Sequence, residues 1–111
     1  MVLIFIIVMD PDRLEDILEA FLELGITGAT ILEARGMGEI LSKEVPIFAG
    51  LRNLFPGGQN EHSLVFSVAE EGKADKLLEL IPGICGSLDG RGTGIAFTLP
   101  VSRVVGLAKE F

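Results

Sequence analysis

Two glycine-rich stretches hold the residues of this chain best suited to binding chemistry. The first is Glu33-Ala34-Arg35-Gly36-Met37-Gly38. The second is Gly83-Ile84-Cys85-Gly86-Ser87-Leu88-Asp89-Gly90-Arg91-Gly92-Thr93-Gly94. Glycine lets backbone approach a ligand closely, and successive N–H groups can then point into one concavity that suits a phosphate. Each stretch carries one arginine, Arg35 or Arg91, so the pair points to a small anionic ligand. The plainer reading keeps the glycines for turn geometry and makes Arg35 and Arg103 surface or interface ion-pair residues. Neither stretch is a Walker A sequence, which needs Gly-Lys-Ser/Thr opening a helix. Neither is a dinucleotide fingerprint, which must follow a strand and open a helix.

The remaining reactive side chains offer less. His62 is the single histidine, and one histidine builds a metal site only if several copies meet at a symmetry axis. Cys85 has no histidine near it in sequence to activate it and reads as a small apolar residue. As the one cysteine it cannot form an internal disulfide, which implies a reducing, cytoplasmic setting. Glu15, Asp16, Glu19 and Glu23 read as the solvated side of a helix. No carboxylate pair or serine–histidine arrangement stands out, so catalytic residues are expected to be none, metal ligands none, and the protein not an enzyme.

The elements that must position these residues follow from hydrophobic patterning. The chain has 111 residues, 49% of them hydrophobic, with a formal charge of -7. That is one domain, 1–111, with ample material for a core. The acidity argues against nucleic acid and anionic membrane surfaces as partners. Val2–Met9 is apolar, lacks a basic start and a cleavage site, and is too short to span a bilayer, so it reads as a strand buried on both faces rather than a targeting segment. Pro11 suits a helix first turn, Leu14, Ile17, Leu18, Phe21 and Leu22 fall at helical spacing, and Gly25 ends that helix. A second strand is expected at about Thr27–Arg35.

Gly36 to Asn60 reads as a long connection, too apolar for a solvated linker, with a short helix expected at Ala49–Phe55. A third strand is expected at Ser63–Ala69, a turn at Glu70-Glu71-Gly72, a helix over Lys73–Ile81 and a last strand over Ile95–Val101. The order β-α-β, long loop, β-α-β is a pseudo-repeat and predicts an α+β, ferredoxin-like β-α-β-β-α-β sandwich. Two helices cover one face of a four-stranded sheet. The second face then needs another cover, and a further copy of the same chain supplies it most simply.

These residues resemble the nitrogen-regulatory PII signalling family. The likeness is carried by Asp10 to Ala20 at the first helix and, most specifically, by Gly25-Ile26-Thr27-Gly28-Ala29-Thr30-Ile31-Leu32-Glu33-Ala34-Arg35-Gly36-Met37-Gly38. Ala49–Pro56 is similar to part of that family's T-loop, Gly86–Gly94 to its B-loop, and Val101-Ser102-Arg103-Val104-Val105 to a segment near its end. The resemblance implies a cytoplasmic homotrimer with adenine nucleotide (AMP, ADP or ATP) bound as an effector in clefts between subunits, and no obligatory cofactor. It also implies a T-loop, here about residues 38–58, that docks onto an enzyme, transporter or regulator, without membrane insertion.

Carried over residue by residue, the resemblance makes Thr30, Gly36, Gly38, Gly86, Ser87, Leu88, Asp89, Gly90, Arg91, Gly92, Thr93, Gly94 and Arg103 the ligand-binding set. Phe48, Leu51, Leu54 and Phe55 become the partner-binding set, with Ile47 a further apolar anchor. The sequence departs from the family in places. It has no tyrosine, Leu51 standing where the uridylylated one is expected. Glu39-Ile40 replaces Arg-Gln, Gly57 replaces a lysine, and Gly106 and Leu107 replace two basic residues. These changes argue against uridylylation and against 2-oxoglutarate sensing, and favour a less charged nucleotide. The alternative is a CutA-like structural or assembly trimer without a nucleotide site. A small enzyme such as an acylphosphatase would need an arginine–asparagine phosphate site after the first strand, where Asp10-Pro11-Asp12 stands.

Overall fold

The computed structural model describes residues 1–44, 47, 62–85 and 94–107. Four strands and three helices follow one another: β1 Val2–Val8, α1 Leu14–Glu23, β2 Thr30–Ala34, α2 Met37–Glu44, β3 His62–Ala69, α3 Glu71–Cys85 and β4 Gly94–Pro100. The strands form one antiparallel sheet in the order β2-β3-β1-β4. This is the ferredoxin-like topology that the pseudo-repeat predicts, with β1 and β3 central and β2 and β4 at the edges.

The ends of α1 are set by local chemistry. Asp10 caps a 3-10 turn, Pro11–Arg13, by accepting the Asp12 N–H at 3.0 Å, and Pro11 takes the first position as its patterning predicts. At the other end Gly25 adopts a left-handed φ of 78°. Its N–H donates to the Leu22 carbonyl, while the Ile26 N–H reaches back to Phe21. This is a Schellman ending, and Phe21 and Ile26 are both buried beneath it.

The two faces of the sheet differ. Val2, Ile4, Ile6 and Val8 of β1 point to one face with Val65 and Ala69 of β3, and pack against Ile17, Ala20 and Phe21 of α1 and Ala74, Leu77 and Ile81 of α3. The pairing registers place Leu3, Phe5 and Ile7 of β1, Leu64, Phe66 and Val68 of β3, Ile95, Phe97 and Leu99 of β4 and Leu32 of β2 on the other. Phe5 and Phe97 stack there with ring centroids 4.9 Å apart. Within the single chain this second face stays open. Leu32, Ile95, Phe97 and Leu99 are exposed, and Leu3, Phe5 and Ile7 are half-buried. One chain buries one face of β1; the cover that the sequence reading expects on the other, a further copy of the chain, is not part of one chain.

Other boundaries move as well. The start of the long connection is not loop but α2. Strand β2 is shorter than expected, Thr30–Ala34. Helix α3 begins at Glu71, so Glu71 and Gly72 are helical rather than a turn. It runs on through Pro82 to Cys85, taking Gly83, Ile84 and Cys85 out of the second glycine stretch. Burial first, with Asp10 and Asp16 nearby, pushes the half-buried Cys85 thiol up against the opposing pull of Arg13. A thiol held protonated in this way fits the reading of Cys85 as an unreactive apolar residue.

Candidate functional site

The first glycine stretch closes one end of the sheet. β2 leaves the sheet at Ala34, which pairs with His62 at the start of β3. His62 occupies an open-face row, yet it is only 4% exposed. The chain crossing at Gly36 covers it: a Cβ at Gly36 would lie 2.6 Å from the imidazole Cε1. Gly36 is required there by close approach, not by its φ. Its carbonyl then accepts the Ile40 N–H at 3.1 Å and opens α2.

Gly38 is buried inside α2, and Glu39 beside it is 9% exposed. Glu33, Ala34, Arg35 and Glu39 line a recess of about 330 Å³ at this corner. Among the described residues its lining holds two carboxylates and one guanidinium. Glu39 and His62 are buried polar residues that the sequence reading did not assign. The signal was present, since Met37, Ile40, Leu41 and Glu44 fall at helical spacing, but the flanking glycines argued for loop.

The second glycine stretch re-enters the structure at Gly94, the first residue of β4. Gly94 has φ 139°, and a Cβ there would meet the Ile7 carbonyl oxygen at 2.5 Å. Gly94 pairs with Val8, so it stands at the same end of the sheet as Gly36 and Gly38. Gly36 and Gly94 nevertheless sit at opposite edges. With β3 and β1 between β2 and β4, about 14 Å separates these edge strands at ~4.8 Å per strand spacing.

Of the other assigned ligand residues, Thr30 is exposed at the start of β2. Arg103 is exposed beyond β4 and leaves from the opposite end of the sheet, where the Val101 N–H bonds the Met1 carbonyl. Gly86, Ser87, Leu88, Asp89, Gly90, Arg91, Gly92 and Thr93 lie outside the described residues, as do Phe48, Leu51, Leu54 and Phe55 and the helix expected at Ala49–Phe55. Ile47 is exposed. Among the described residues, no group of three or more His, Cys, Asp or Glu is placed to hold a metal ion. None of the described helices is long and apolar enough to cross a membrane.

The topology defines a ferredoxin-like α/β sandwich with Gly36 and Gly94 at one end of its sheet. The family model described as nitrogen regulatory protein P-II matches residues 1–110, and the chain belongs to that family. Its members are signalling regulators rather than enzymes. A search of the curated proteins finds no match to the chain.

Proposed function

We propose that this protein is a cytoplasmic PII-type regulator that works as a homotrimer. It reads a small ligand, an adenine nucleotide with few charges, in clefts between subunits. The observation that supports the reading is the placement of Gly36 and Gly94: same end of the sheet, opposite edges, beside an open apolar face. Copies packed through that face can bring the β2 edge of one chain to the β4 edge of the next, completing a cleft that one chain leaves in halves. Gly36 and Gly38 line one side, and Gly86–Gly94 with Arg91 the other; Thr30 and Arg103 are secondary contacts. The segment at about 38–58 then docks on a protein target through Phe48, Leu51, Leu54 and Phe55, with the ligand biasing its equilibrium.

A second reading, a structural trimer without a nucleotide site, draws on one observation. Among the described residues Glu33 and Glu39 outnumber Arg35 around the recess, and excess negative charge disfavours a polyphosphate. Calorimetric titration with AMP, ADP, ATP and cyclic AMP, with and without magnesium and 2-oxoglutarate, separates the two. Saturable heat that is lost in Arg91→Ala supports the first. An assembled protein that binds none of the four supports the second.

A further inference from the structure

The helix-covered side of the sheet has an apolar groove in the single chain. It lies between α1 and the edge strand β2, has a volume of about 300 Å³, and is lined by Leu18, Phe21, Leu22, Ile26, Ala29 and Ile31. Leu22 is 65% exposed and Ile31 40%, whereas Phe21 and Ile26 on the groove floor are buried. Its rim is acidic. Glu15 and Glu19 sit three or four positions from Leu18 and Leu22, which places them along the solvent side of the same helical stripe. Glu33 follows Ile31 by two residues and so shares its face of β2. All three are exposed. Basic groups on the flanking segments are engaged: Lys73 Nζ donates to the Gly25 carbonyl at 3.4 Å, Arg13 faces Asp10 at 3.6 Å, and Arg35, two residues beyond Glu33, also has a partner.

We propose that this groove docks a basic amphipathic segment of a partner protein, a short helix or strand that inserts one or two bulky apolar side chains flanked by Lys or Arg. Charge selects that occupant over a second copy of this chain. Each copy carries a formal charge of -7 and would bring more acid to an acidic rim. The open face shows the contrast, since its strand rows hold no Asp, Glu, Lys or Arg and suit like-with-like packing. An apolar floor supplies affinity and a charged rim supplies orientation and partner choice. The site needs neither the ligand nor the long loop, so it would act alongside the docking of segment 38–58.

The test uses the full chain and a fluorescein-labelled amphipathic Lys/Leu peptide, with a Glu/Leu peptide of the same pattern as control. Fluorescence anisotropy at physiological salt reads the affinity, and methyl NMR reads the location. The Lys/Leu peptide is expected to bind and to shift the methyls of Leu18, Leu22 and Ile31, while the Glu/Leu peptide does not bind. Leu22→Ser, which leaves the charge unchanged, should weaken binding about tenfold, the factor expected for one large apolar contact. Glu15→Gln with Glu19→Gln should weaken it further and flatten its salt dependence. Equal binding by Leu22→Ser would reduce the effect to surface charge and overturn the proposal. A smaller oligomer on sedimentation of Leu22→Ser would also overturn it, because a second copy would then be the occupant. Loss of nucleotide binding moves none of these readouts, so failure of the functional reading stays distinct.

Discussion

On β1, Ile4 and Ile6 are sealed beneath the helices, whereas Leu3, Phe5 and Ile7, one position away, are half-buried at the surface of the chain. Antiparallel sheets with one solvated face usually alternate apolar and polar residues. Here β1 and β3 carry Leu, Ile, Val or Phe in both directions, while β4 turns Ile95, Phe97 and Leu99 outward and only Gly94, Ala96, Thr98 and Pro100 inward. The inward set explains the fold of one chain. The outward set has no role in that fold, and its area and lack of charge are what an association surface needs. One sheet thus separates folding from assembly by side-chain parity.

The largest effect should come from setting a charge in the outward set. Phe97→Asp puts an ionised carboxylate beside Phe5. It should disperse the assembly at micromolar protein, at a cost of about 2–4 kcal/mol per interface, while circular dichroism still reports a folded chain. The matching inward change, Ile6→Ala, should do the reverse: stability falls by about 2–5 kcal/mol in urea unfolding, and the assembled size of the folded fraction is unchanged. If both variants lose fold and assembly together, the two faces are not separable.

Smaller changes sharpen the contrast. His62 is the one position where an open-face row is closed within the chain, and Gly36 closes it. Gly36→Ala would push a methyl into the imidazole and should cost about 1–3 kcal/mol, read as a lower melting temperature. Ser67 is a buried polar residue on the covered face; its hydroxyl donates to the Gly28 carbonyl and ties β3 to the approach to β2. Ser67→Ala should cost only about 1 kcal/mol and leave the sedimentation coefficient unaltered.

Much of this was legible in the residues. Alternation and helical spacing gave β3 and both main helices, each of which buries a stripe whose period is visible, and the apolar run Val2–Met9 gave β1. Gly25 and Pro11 marked the limits of α1 through backbone chemistry that needs no tertiary context. The helix α2 was missed because Gly36 and Gly38 carry a loop signal. Gly36 serves instead to pass close over His62, a contact between residues 26 apart in sequence. The extension of α3 through Pro82 was hidden by the usual rule that proline stops helices. The edge-to-edge separation of Gly36 and Gly94 was also invisible, since it depends on strand order. The family match adds the regulatory class, and the ligand rests on chemistry at both edges.

Sedimentation equilibrium of the purified chain tests the central claim most directly, that the outward face of the sheet exists for assembly. The account predicts one species of three times the chain mass that persists at micromolar concentration and is lost in Phe97→Asp. A native chain that sediments as a folded monomer, with Ile95, Phe97 and Leu99 open to solvent, would contradict it.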